Sequence, residues 1–181
     1  MSVPGAVFLD RDGVLNAARV IDGRPYPPAD VSELDVLPGA EPSCRRLAEA
    51  GLRLIVVTNQ PDVARGTQSL EAVREINDRL AAELGLDAVL VCPHDDGDGC
   101  NCRKPLPGML LQAAGAWDID LAGSVMVGDR WRDIEAGRAA GARTVFVDRR
   151  YDEPAPVDPD LTVSELEESV PWIIETTARR P

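Results

Sequence analysis

Residues 6–15 read Ala6-Val7-Phe8-Leu9-Asp10-Arg11-Asp12-Gly13-Val14-Leu15, and the break in the middle of this stretch decides the fold. The four apolar residues Ala6 to Leu9 read as a first strand, and the uniformly apolar Leu52 to Val57 as a second one covered on both faces, the habit of parallel sheets flanked by helices. The first run stops at Asp10, Asp12 follows two positions later, and Gly13 permits a tight backbone turn. Residues two apart on extended chain point the same way, so Asp10 and Asp12 aim at one place beyond the carboxyl end of the strand. Open α/β sheets bind their ligands at that end.

The rest of the chain alternates short apolar strands with amphipathic helices, as an α/β domain with a parallel sheet requires. Expected strands are Leu52 to Val57, Ala88 to Val91, Ser124 to Val127 and Thr144 to Val147, with a short apolar run at Leu161 to Val163. Expected helices are Gly39 to Ala50, Ser69 to Leu84, Pro107 to Ala116, Trp131 to Ala140 and a closing helix from Ser164. The second of these carries Leu70, Val73, Ile76, Leu80 and Leu84 at helical spacing behind a Ser69 cap. The closing helix sets Leu166, Val170, Ile173 and Ile174 on one docking face. Arg19 to Asp35, with Pro25, Pro27 and Pro28, reads as a long loop after the first strand. Trp131 is expected to pack on the sheet.

At 181 residues the chain is expected to form one domain spanning 1–181. Nineteen basic against thirty-one acidic residues give a net charge of −12, which opposes nucleic acid and anionic membranes as partners. No apolar run approaches the length needed to span a bilayer. The start, MSVPGAVFLD, lacks the basic and apolar segments of a signal peptide, so a cytoplasmic protein is expected. A monomer acting on a small molecule fits these properties.

Chemistry-bearing residues recur where strands end. Thr58-Asn59-Gln60 brings a hydroxyl and a backbone N–H suited to an anion, Lys104 follows Arg103 before a helix, and Gly128-Asp129 is followed by Asp133 four residues on. One such acid is usually a turn residue. Several in order at separate strand ends describe a site. Converging carboxylates repel one another unless a cation intervenes, and a few oxygen ligands suit Mg²⁺. With a lysine and a threonine hydroxyl, the set describes phosphoryl chemistry.

A second constellation is Cys92-x-His94 followed by Cys100-x-Cys102, with a turn-forming Asp95-Asp96-Gly97-Asp98-Gly99 between the pairs. Each i, i+2 pair can form one edge of a tetrahedron, and four such ligands read as a structural Zn²⁺ site. The competing readings are a disulfide, a redox pair, or a calcium loop through the aspartates. A chain without a secretion signal disfavours the disulfide, and the acidic run lacks the Glu an EF-hand needs. Cys44 reads as an ordinary buried thiol.

The order Asp-x-Asp-Gly, a strand ending in Thr, then Lys, then Gly-Asp-x-x-x-Asp resembles the haloacid dehalogenase superfamily of phosphohydrolases over roughly residues 5–147. The resemblance implies a Rossmann-like three-layer α/β/α fold. It implies Asp10 as nucleophile and Asp12 as general acid and base, with Thr58 and Lys104 holding the transferring phosphoryl group. Mg²⁺ would be held by Asp10, Asp129 and the backbone carbonyl of Asp12, with Asp133 in support. Cys-Pro-His and Cys-x-Cys-Arg-Lys-Pro narrow the resemblance to heptose 1,7-bisphosphate 7-phosphatases and histidinol-phosphate phosphatases, small members without a large cap whose zinc loop, here 92–102, frames the site. A phosphorylated sugar is the implied substrate, with histidinol phosphate as the alternative. Arg103 and Arg130 are then expected as anion anchors, and Arg11, Asn59 and Gln60 as further substrate contacts. The loop after Asn16 departs from the heptose branch and is expected to meet the leaving group. A receiver domain shares the residue types but would place its lysine after both acids, and a zinc-bearing interaction module would have a broken phosphoryl site.

Overall fold

The computed structural model describes residues 5–178. Six strands form one sheet in which every neighbouring pair is parallel: β1 (Ala6–Leu9), β4 (Arg53–Asn59), β5 (Ala88–Cys92), β6 (Val125–Gly128), β7 (Arg143–Val147) and β8 (Leu161–Val163). Their order is β5-β4-β1-β6-β7-β8. The chain builds outward from β1 in one direction, returns to the other side of β1 with β6, and continues outward again. This reversal puts the topological switch point, where such sheets open a ligand crevice, at the carboxyl end of β1.

Both faces of the sheet are covered, as its unbroken apolar strands require. Val7 and Leu9 of β1, with Leu54, Val56, Val125 and Val127, face a core completed by α1 (Ala40–Glu49), α2 (Leu70–Leu84) and α5 (Leu166–Ala178). Ala6 and Phe8, with Ile55, Val57 and Met126, face the opposite core under α3 (Gly108–Trp117) and α4 (Trp131–Ala140). The result is the three-layer arrangement the resemblance implied. Leu166, Val170 and Ile173 are buried in the first core, so α5 docks through the face expected of it.

Element boundaries shift where function sits. β4 runs two residues past the expected end, so Thr58 and Asn59 belong to the strand itself. The 19–35 segment is not a plain loop. Arg19–Ile21 (β2) and Arg24–Tyr26 (β3) pair antiparallel in a ribbon whose turn, Asp22-Gly23, has positive φ at both residues. Asp-Gly is the favoured pair for such a two-residue hairpin turn. Both ribbon strands are largely exposed, so no burial alternation announced them.

Candidate active site

After β1 the chain folds into a tight turn. The Arg11 carbonyl accepts from the amides of Val14, Leu15 and Asn16, while Val14 and Leu15 anchor the turn in the core. Gly13 stands at φ +83°, and a Cβ there would lie 1.8 Å from Asp129 Oδ2, so only glycine lets β1 and β6 bring their acids this close. Gly128 serves likewise: a Cβ there would meet that of Asp133 at 2.1 Å.

Three carboxylates result, on Asp10, Asp129 and Asp133, with oxygens all within 4.8 Å of one another and all three residues buried. Lys104 reaches between two of them. Its Nζ lies 3.0 Å from Asp10 Oδ1 and 2.6 Å from Asp133 Oδ1, and it donates to the Val57 carbonyl at 2.7 Å. Burial disfavours the ammonium, but the charges of Asp10 and Asp133 outweigh it and hold Lys104 above its ordinary pKa. Burial, then the charge of Asp133, pushes Asp10 up to about 6 against the pull of Lys104. Burial, then the charges of Asp10 and Asp133, push Asp129 well above the carboxylate range. Neither oxygen of Asp129 makes a well-formed hydrogen bond; only the Tyr151 hydroxyl faces the carboxylate, and its pull does not offset the burial. Such a poorly partnered pair of oxygens is what a hard divalent cation takes up, so the donor set fits Mg²⁺.

Asp12 is arranged differently. Arg11 donates to it through Nε at 3.2 Å and a terminal nitrogen at 3.0 Å, Asn16 at 2.9 Å and Gln60 at 2.8 Å. Burial raises its pKa, yet the charge of Arg11 and these hydrogen bonds prevail and hold the carboxyl below its ordinary range. Gln60 Nε2 also donates to the Thr58 hydroxyl at 2.9 Å, tying the ends of β1 and β4 together.

One cavity of about 520 Å³ opens at these strand ends and is lined by Asp10, Asp12, Thr58, Lys104, Asp129 and Asp133. Of the expected substrate contacts, Asn59, Arg103 and Arg130 also line it. Arg11 and Gln60 do not. Both are fully buried behind Asp12, where Arg11 also donates to Asn77 of α2 at 2.9 Å, so they position the carboxylate instead of facing the cavity. Asn59 holds the Lys104 backbone from both sides, accepting from its amide and donating to its carbonyl at 3.0 Å each. Arg130 is ion-paired to Glu153, and Arg103 to Asp96 at 2.7 Å. Trp131 lines the cavity instead of packing on the sheet, with the Arg132 guanidinium 4.7 Å from its ring centroid.

Two further stretches line the cavity, the first of them in the loop after Asn16 that was expected to meet the leaving group. Arg24 to Pro27 of the ribbon form one wall, and Asp152 to Pro154, after β7, form another. The Asp22-Gly23 pair was the available signal for the first. Nothing in the sequence distinguishes the second from an ordinary proline-rich connection.

Cys92, His94, Cys100 and Cys102 converge beside this cavity, their ligand atoms within 4.8 Å of one another. Cys92 Sγ lies 3.8 Å from Cys100 Sγ and 3.3 Å from that of Cys102, while His94 Nδ1 is 3.3 Å from Cys102 Sγ and 3.6 Å from Cys92 Sγ. A disulfide would need about 2.05 Å. The spacings suit the edges of a tetrahedron around an ion bound at about 2.3 Å by sulfur and about 2.0 Å by nitrogen.

The arrangement defines a hydrolase of the α/β class: the chain belongs to the haloacid dehalogenase-like hydrolases, whose family model matches residues 26–141. More particularly, it is similar to D-glycero-beta-D-manno-heptose-1,7-bisphosphate 7-phosphatases. That of Yersinia pestis is 38% identical over an alignment covering 99% of this chain and 94% of the relative. That of Bordetella bronchiseptica is 41% identical, with 75% of each chain covered. The crystal structure of the D,D-heptose 1,7-bisphosphate phosphatase from B. bronchiseptica, complexed with magnesium and phosphate, superposes with a TM-score of 0.80 at 32% identity, covering 94% of this chain and 98% of that one.

Proposed function

We propose that this chain is a Mg²⁺-dependent phosphomonoesterase that removes the 7-phosphate of D-glycero-D-manno-heptose 1,7-bisphosphate or a closely related sugar phosphate. The observation that carries the chemistry is the buried Asp10–Lys104–Asp133 chain beside a poorly partnered Asp129 carboxylate. The choice of sugar rests on the similarity to the Y. pestis enzyme over nearly the whole chain.

In this reading Asp10 attacks phosphorus, forming an O–P bond to its carboxylate as the ester O–P bond breaks. Asp12 gives its proton to the departing alkoxide, then takes one from the water that attacks the Asp10 phosphoryl group, releasing inorganic phosphate and restoring both carboxyls. The resting Asp12 is held ionised by Arg11, Asn16 and Gln60. It is therefore set for the second half, and the proton for the first is taken up with substrate. Thr58 and Lys104 hold phosphoryl oxygens. Asp10, Asp129 and the Asp12 carbonyl would hold Mg²⁺, which supplies neutralisation of the charge on the transferring group. Asp133 keeps Lys104 aimed. We assign a structural Zn²⁺ to Cys92, His94, Cys100 and Cys102, all four positions being filled by protein. The same reading makes the enzyme a cytoplasmic monomer; among the described residues no helix is long and apolar enough to cross a membrane.

Phosphate release with Mg²⁺ across heptose 1,7-bisphosphate, fructose 1,6-bisphosphate and histidinol phosphate tests this function. A strong preference for the heptose is the expected result, lost by about 10⁴-fold or more in Asp10→Asn. A preference for histidinol phosphate would replace the substrate. Activity retained in Asp10→Asn would overturn the mechanism.

A further inference from the structure

The cavity of about 520 Å³ is far larger than a phosphoryl group alone needs, and arginines crowd its rim. Most of them are already committed to carboxylates of this chain. Arg65 pairs with Asp95 through two nitrogens at 2.7 Å each, Arg103 pairs with Asp96 at 2.7 Å, and Arg130 pairs with Glu153. Arg132 lies 3.5 Å from Asp96 and stacks on Trp131. Arg24 differs. It lines the same cavity, yet its guanidinium has no hydrogen bond or ion pair among the described residues.

Its backbone is held firmly. Arg24 follows the Asp22-Gly23 turn and pairs with Ile21 across the ribbon. The turn is seated against the 151–154 segment: the Asp152 amide donates to the Gly23 carbonyl at 2.9 Å, and a Cβ on Gly23 would come within 2.9 Å of Asp152 Cβ. At the other end Arg19 Nε donates to the Pro27 carbonyl at 3.1 Å and Gln68 Nε2 to that of Pro28 at 2.8 Å. The ribbon is thus a fixed wall, and it presents one uncommitted planar fork to a cavity whose inner end handles a phosphate ester. A guanidinium so placed is suited to grip a second phosphate through paired hydrogen bonds.

We propose that Arg24 is the anchor for the non-reacting phosphate of a bisphosphorylated substrate, and so the residue that makes this site select bisphosphates over monophosphates. The assignment rests on the phosphatase function above and adds a residue to it. The arginines read from the sequence, Arg103 and Arg130, then shape the rim through their carboxylate partners, and the ribbon supplies the free charge.

The test compares wild type, Arg24→Ala and Arg24→Lys on heptose 1,7-bisphosphate, fructose 1,6-bisphosphate and p-nitrophenyl phosphate, which has no second phosphate. In Arg24→Ala the ratio of kcat/KM for a bisphosphate to that for p-nitrophenyl phosphate should fall by about 10- to 100-fold, through KM, as expected for loss of a charge-assisted contact. Arg24→Lys should recover part of it, keeping charge without the fork. An unchanged ratio in Arg24→Ala overturns the assignment while leaving the phosphatase function standing. If wild type does not favour the heptose but Arg24→Ala still loses ground on fructose 1,6-bisphosphate alone, the anchor stands and the choice of sugar falls. A wild type that favours neither bisphosphate over p-nitrophenyl phosphate overturns both.

Discussion

Lys104 Nζ and Asp133 Oδ1 meet at 2.6 Å, each side chain only 2% exposed. Asp133 also accepts from the Arg130 amide at 3.0 Å, so one carboxylate fixes both the start of α4 and the aim of the lysine. Removing one member of a buried ion pair strands its partner. Asp133→Asn should therefore cost about 3 kcal/mol, read as a melting point lower by roughly 6–12 °C. A slightly misplaced Lys104 should also lower kcat by about 100-fold. Melting within about 2 °C of wild type would show that Asp10 alone satisfies the lysine.

Asp129 presents the opposite case, a buried carboxylate with no well-formed hydrogen bond and only the Tyr151 hydroxyl facing it. Without a cation it is a burden on the fold. Asp129→Asn should melt higher than wild type in chelator, by a few degrees, and should lose the rise in melting point that Mg²⁺ gives wild type. Thermal melts with and without Mg²⁺ decide the matter. A variant less stable in chelator would mean that Asp129 contributes to the fold without metal.

Mg²⁺ affinity should depend on pH in a defined direction. Asp10 titrates at about 6, above its ordinary 3.8, so below that pH a cation must displace a proton. Binding measured by calorimetry should weaken by about tenfold or more from about pH 7.5 to about pH 5. The same group acts oppositely on metal-free stability. Its folded pKa is raised, so the folded state binds more protons, and its contribution becomes more favourable as pH falls through about 6. Affinity independent of pH across this range would show that Asp10 stays ionised.

The cysteines should divide three to one. Cys44 is fully buried in α1, its thiol pushed up to about 12 by burial and then by the charge of Glu41. Chelation should release about one zinc per chain and let the 92–102 loop open, so that Cys100 and Cys102, and Cys92 once its burial at the end of β5 is relieved, become reactive to a thiol reagent while Cys44, held inside the core by α1, stays silent. Metal analysis and thiol counting check this together. Three reactive thiols before chelation would remove the zinc assignment.

What could be read in advance was whatever hydrophobic burial writes into sequence. β1, β4 and β6 are fully or almost fully buried, so their apolar runs stood out, and the polar residues ending them marked the switch point. The ribbon at 19–26 is exposed and left no periodicity, although Asp22-Gly23 named its turn. Side-chain direction was harder still. Arg11 and Gln60 sit among site residues in sequence, but their side chains turn behind Asp12 because a carboxylate half-withdrawn from water needs donors. Trp131 and the Asp152–Pro154 wall depend on how α4 and the segment after β7 meet the crevice, which no local pattern encodes.

Only Arg103 separates Cys102 from Lys104, and Asn59 clasps the lysine backbone on its other flank. The Cys/His cluster and the Lys104 ammonium are consequently one mechanical part, a tether of fixed length between an anchor and a tip. Such a tether has no slack between Cys102 and Lys104, where a single inserted residue would move the tip away from Asp10 and Asp133. Whatever else varies along this loop, the distance from anchor to tip sets the calibration of the site.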